Sequence, residues 1–136
     1  MARLLSLFLI VFLFACGGTE TKFDTATYEE AKVSLEEKEK KNPEQFLVVT
    51  SSDKKNIIGQ TVIKGTISNR ASVCTYKDVQ LQISFFSKTG VLLEENKETI
   101  YEVVPPNNNV KFKSKYFAPK GTDSMTMTVL DAKVEG

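Results

Sequence analysis

Cys16 and Cys74 are the chain's two thiols, and there is no histidine to activate either. A cysteine without a neighbouring base is weakly nucleophilic at neutral pH. Without imidazole there is also no histidine general base, triad or histidine metal site. Carboxylates gather at residues 27–39 and at Glu94, Glu95 and Glu98. Neither group has the oxygen spacing of an EF-hand loop, so both read as solvated charge. Lys111, Lys113 and Lys115 recur at every second residue of "VKFKSKY". In a strand that period puts all three on one face. Such a row suits an anionic ligand or lipid headgroup; the plainer reading is a guard on an exposed sheet edge. Tyr76, Tyr101 and Tyr116 offer rings for stacking on a glycan, although tyrosines more often fill cores and rims. "GGTETK" has glycines but lacks the strand-to-helix context of a phosphate loop. Nothing calls for a cofactor or a metal.

The elements that carry these residues fall into four segments. Residues 4–16 are apolar except for Ser6 and follow Arg3. That length is short of the roughly 20 residues a helix needs to cross a bilayer core. With a short basic start and the small Ala15 before Cys16, residues 1–15 read as a secretory signal peptide. Residues 16–26, small and polar, read as a flexible tether. Residues 27–42 form an expected amphipathic helix. Thr27 and Glu30 have capping-box spacing, and Lys38, Lys40 and Lys41 suit the far end of the helix dipole. Asn42-Pro43 is the stop, and Tyr28, Ala31 and Leu35 give a narrow apolar stripe to pack on a domain.

Residues 44–136 turn to strand patterns. "FLVVT" (46–50) is a short strand and "SSDKKN" a turn. "IIGQTVIKGTIS" (57–68) is β-branched, with Gly59 and Gly65 at expected bends or bulges. In "YKDVQLQISFF", Val79, Leu81, Ile83 and Phe85 face one side, and Gln80, Gln82 and Ser84 the other. "SKTG" (87–90) is a hairpin turn and "PPNNN" (105–109) another. Val110, Phe112, Ser114 and Tyr116 alternate with the lysine row, and Met125, Met127 and Val129 with Thr126 and Thr128. About seven short strands and no long helix after residue 43 predict an antiparallel immunoglobulin-like β-sandwich, with a small barrel as the alternative. Cys74, alone once Cys16 is occupied, is expected to be a small buried hydrophobe.

Two resemblances follow from these residues. "LFAC", Leu13 to Cys16, resembles the lipobox of bacterial lipoproteins, with Phe14 where a smaller residue is commoner. That resemblance implies lipidation of the Cys16 sulfur and cleavage before it, leaving the protein fixed to a membrane of the cell envelope by fatty acyl chains such as palmitate. Each buried methylene contributes about 0.8 kcal/mol, so two or three chains anchor a domain with no spanning helix. Gly17, where some species carry an aspartate retention signal, implies outer rather than inner membrane, and with no acidic cluster directly after Cys16 the domain is expected to face the periplasm. Residues 64–117 resemble FxLYD-type immunoglobulin-like envelope domains through "GTISN", "YKDVQLQISFFSKTGVLL" and "PPNNNVKFK". The whole layout is similar to small uncharacterised envelope lipoproteins. The resemblance brings no catalytic residues.

Cleavage after residue 15 removes Arg3 from the 18 basic residues and none of the 17 acidic ones, leaving 17 of each. A neutral chain whose only other arginine is Arg70 has no nucleic-acid footprint. The expectation is a non-enzymatic, membrane-anchored interaction or assembly module with an envelope protein partner. The alternative is a sandwich that binds a glycan or small ligand. Asp24-Thr25-Ala26 also resembles a short O-glycosylation signal, which makes Thr25 a candidate acceptor.

Overall fold

The computed structural model describes residues 25–136, with side chains described from Tyr28 onward. The signal segment, Cys16, most of the expected tether and the Thr25 side chain lie outside the described residues. The described chain runs helix α1 (Thr25–Lys41), a single turn α2 (Pro43–Phe46), and strands β1 (Leu47–Lys55), β2 (Thr61–Asn69), β3 (Tyr76–Ser87), β4 (Leu92–Ile100), β5 (Asn109–Tyr116) and β6 (Thr122–Val134).

Two antiparallel three-stranded sheets, ordered β1-β2-β5 and β4-β3-β6, face each other. This is the pairing of strands A-B-E and C′-C-F in the immunoglobulin fold, so the expected sandwich is the architecture found. Six strands form it among the described residues, with one isolated bridge between Tyr76 and Val104 where a further strand would lie. The core follows the alternation. Val79, Leu81, Ile83 and Phe85 on β3 are all fully buried, facing Ile63 and Ile67 of β2. Burying each such side chain contributes about 1.5–3 kcal/mol.

Several local expectations are corrected. α1 begins at Thr25, so Thr27 lies inside the helix and is not its cap. Tyr28, Ala31 and Leu35 are all exposed, so the apolar stripe does not pack on the sandwich. Three apolar side chains in so charged a helix bury too little area to dock it. "SSDKK" is not a turn: it completes β1, paired residue for residue with β2, because ladder hydrogen bonds override its turn-like composition. The turn follows at residues 56–60, where Gly59 has φ +79°. Gly65 is not a bulge. It sits in regular register opposite Phe112, whose ring covers it so closely that a Cβ there would overlap the ring. Register shifts fall instead on β3, between Phe85 and Phe86 against β4, and between Lys77 and Leu81 and between Phe86 and Ser87 against β6.

Other expectations hold. Gly90 closes the β3–β4 hairpin with φ +82°, and its N–H donates to Ser87 O. At "PPNNN", Asn108 N–H donates to Pro105 O and Asn107 takes φ +56°, with Pro106 before it. That is the pattern of a type II turn, with asparagine in the place glycine usually takes.

The antiparallel order gives the sandwich two distinct ends. The helix end carries α2, the β2–β3 loop (70–75) and the β4–β5 loop (101–108). The far end carries the turns at 56–60, 88–91 and 117–121.

Candidate functional site

At the helix end, the last turns of α1 meet the β2–β3 loop through one carboxylate. Glu39 is only 1% exposed. Its Oε1 accepts the Ser72 N–H at 2.8 Å, and its Oε2 accepts Val73 N–H at 3.0 Å and Cys74 N–H at 2.8 Å. Tyr76 Oη donates to the Glu39 carbonyl at 2.8 Å. Burial alone would push the Glu39 carboxyl up, but the three backbone N–H groups hold it below its ordinary 4.5. The loop is braced from beneath by Asn69, whose Nδ2 donates to Cys74 O at 2.8 Å and Val104 O at 3.0 Å, while Oδ1 accepts from Ala71 N–H. Asn69 ends β2, where a side chain able to satisfy a turn's backbone is expected. Glu39 was not legible in sequence: nothing separates it from its neighbours in "EEKEKK".

Cys74 is buried in the same joint, its thiol facing Glu36 O at 3.7 Å. Burial, and then the nearby Glu39 charge, push the thiol's pKa up. It is the protonated, small apolar group the sequence suggests.

The three candidate lysines are exposed on β5, an edge strand of its sheet. Register places them in rows with two further lysines of the same outward face. Lys115 lies across Val62 from Lys54, Lys113 is directly opposite Lys64, and Lys111 is across Thr66 from Thr50. The one acid in these strands, Asp53, is paired with Ile63 and so belongs to the opposite face. None of the five lysines has an ion-pair partner among the described residues. Like charges placed opposite one another, as Lys64 and Lys113 are, repel. The sequence pattern found three of the five; Lys54 and Lys64 join them only through strand pairing.

The tyrosines do not assemble into a glycan platform. Tyr76 is fully buried in the joint. Tyr116 is half-buried, edge-on to Phe85 with ring centroids 6.3 Å apart, and its hydroxyl donates to Glu98. Tyr101 is exposed at the helix end. Among the described residues, no three acidic or thiol side chains are grouped to hold a metal ion, and no helix is long and apolar enough to cross a membrane.

The fold and its charged face thus define an immunoglobulin-type sandwich carrying a helix on a single joint. No family model and no curated protein matches the chain. Among solved structures, the trimeric lipoprotein SadB of Salmonella enterica is similar at a TM-score of 0.45 and 11% identity, over 77% of this chain and 72% of that one. A likeness at that level carries no argument about this chain.

Proposed function

We propose that the protein is a non-enzymatic lipoprotein of the cell envelope, anchored through acyl chains on Cys16 and presenting its sandwich as an interaction or assembly module. The observation that carries this reading is the sequence at the N-terminus: a short apolar run ending in Ala15-Cys16-Gly17. The sandwich supports it as a folded domain with open sheet edges on both sheets. FxLYD-type identity, an outer-membrane address and a protein partner belong to the same proposal. Exposed sheet edges suit a partner that adds a strand.

Labelling cells with a palmitate analogue tests the anchor. The wild-type chain is expected to take up label and partition with membranes. Cys16→Ser is expected to lose the label, accumulate as the uncleaved form and resist the effect of globomycin. Unchanged processing and label in the Cys16→Ser chain refute the anchor.

A further inference from the structure

The three turns of the far end carry large apolar side chains that stand largely exposed. Ile57 is 105% exposed and Ile58 70%, on the β1–β2 turn. Val91, Leu92 and Leu93 are exposed at the β3–β4 turn, and Phe117 is 69% exposed at the β5–β6 turn. The turns share one end because Lys55 pairs with Thr61, Thr61 with Tyr116, Phe86 with Leu92 and Ser87 with Thr122. The isoleucines are held outward by construction: Asn56 Oδ1 accepts the N–H groups of Ile58 at 3.1 Å and Gln60 at 3.0 Å, fixing the turn that displays them.

Cations ring this apolar tip. Lys54, Lys55, Lys88, Lys115 and Lys120 are all exposed on or beside the three turns, against Asp53, Glu94 and Asp123. Lys54 and Lys115 also begin the lysine rows of the β1-β2-β5 face, so positive charge continues away from the tip. A soluble polyanion would use the lysines and leave the isoleucines and Phe117 in water. A second copy of this chain would bring lysines against lysines. An anionic bilayer uses both: apolar side chains enter the headgroup–acyl boundary while each lysine near the surface adds electrostatic attraction.

We propose that the far end of the sandwich docks on an anionic lipid surface, with Ile57, Ile58 and Phe117 inserted and the surrounding lysines on the headgroups. This goes beyond the anchor at Cys16 and does not depend on it, since the tip lies at the opposite end from α1.

The chain has no tryptophan, so Ile57→Trp is a silent-background reporter. The full chain is reconstituted in phosphatidylcholine vesicles with or without phosphatidylglycerol, all containing brominated acyl chains. Emission is read only from vesicle-bound protein. A failed anchor then appears as loss of binding to neutral vesicles alone, and a failed tip as no binding to anionic vesicles beyond that to neutral ones or as bound protein with a solvent-exposed tryptophan. In anionic vesicles the emission of the Ile57→Trp chain is expected to shift to the blue and to be quenched at least about twofold more than in neutral ones. The contrast should weaken with salt, since the Debye length is about 8 Å at physiological ionic strength. Tyr101→Trp, at the helix end, should show neither effect. Adding Lys54→Glu and Lys115→Glu to the reporter should abolish the quenching while circular dichroism stays that of the folded chain. Equal quenching of the two reporters, or of the tip reporter in neutral and anionic vesicles, overturns the proposal. So does retention on an anionic polysaccharide, or self-association, without lipid quenching.

Discussion

Glu39 is a buried charge held chiefly by three backbone amides, with the Cys74 thiol beside them. Its carboxyl has a folded pKa below the ordinary 4.5, so the folded state binds its proton less readily than the unfolded chain does. The stability this contributes is fully present above the unfolded value and is lost as pH falls through the lowered one. Thermal or urea unfolding between pH 7 and pH 3 should show this as a decline in stability starting near pH 5. Glu39→Gln removes that part of the decline. It also sets an amide NH₂ against backbone donors, at a cost of about 2–3 kcal/mol at neutral pH. Parallel pH profiles for the two proteins would mean that the carboxylate is not the titrating contact. The sequence shows a helix rich in glutamate but not which glutamate is buried, because that depends on three amides more than thirty residues away. Asn69 closes the "GTISN" strand, where an asparagine can bond the backbone of the turn that follows. The Asn107 turn was only half legible: the prolines mark it, and the positive φ comes from the register of the strands it joins.

At the scale of elements, alternation carried β3, β5 and β6, where one face is dry and the pattern is two-state. It missed the second half of β1, because an edge strand tolerates serine, aspartate and lysine that composition assigns to a turn. It also misjudged α1, whose stripe satisfies a helical period but covers too little area to bind. Gly65 shows a cross-strand dependence that no single-strand pattern contains. Gly65→Ala should lower stability by about 1–3 kcal/mol through forced displacement of the Phe112 ring. Combined with Phe112→Leu it should cost less than the two changes summed, a coupling a double-mutant cycle on Tm measures. The lysine row can be tested in the same layer. Replacing Lys111, Lys113 and Lys115 by threonine should promote β-rich aggregation on mild heating, seen by light scattering. Replacement by glutamate should keep the chain soluble, because an edge guard needs charge of either sign. Aggregation of the glutamate variant would show that these lysines answer to something other than the edge.

For the molecule as a whole, stability is unevenly placed. β2 and β3 are central in their sheets and supply most of the buried side chains, whereas α1 is exposed along nearly its whole described length. Most helical stability in proteins comes from packing an apolar face, which the described part of α1 does not do. Native-state hydrogen exchange should therefore find the amides of residues 28–38 exchanging orders of magnitude faster than those of β2 and β3. Slow exchange across α1 would indicate that a partner covers it. The sequence conveyed the two-sheet plan and a helix ahead of it. It did not convey how the helix meets the domain, since that meeting rests on one polar joint and leaves no apolar signature.

That joint has a mechanical consequence. Any tension arriving along the chain from the N-terminal side reaches the sandwich past Glu39. There, three backbone hydrogen bonds and the Tyr76 hydroxyl bridge α1 to the β2–β3 loop, and Pro43 begins the next turn. These contacts are fewer than the ladder pairs that hold β1 to β2 and β2 to β5 behind them. Glu39 is thus a fuse. Under pull from that side, α1 should peel from the domain before a strand is lost, lengthening the chain ahead of a sandwich that is still folded.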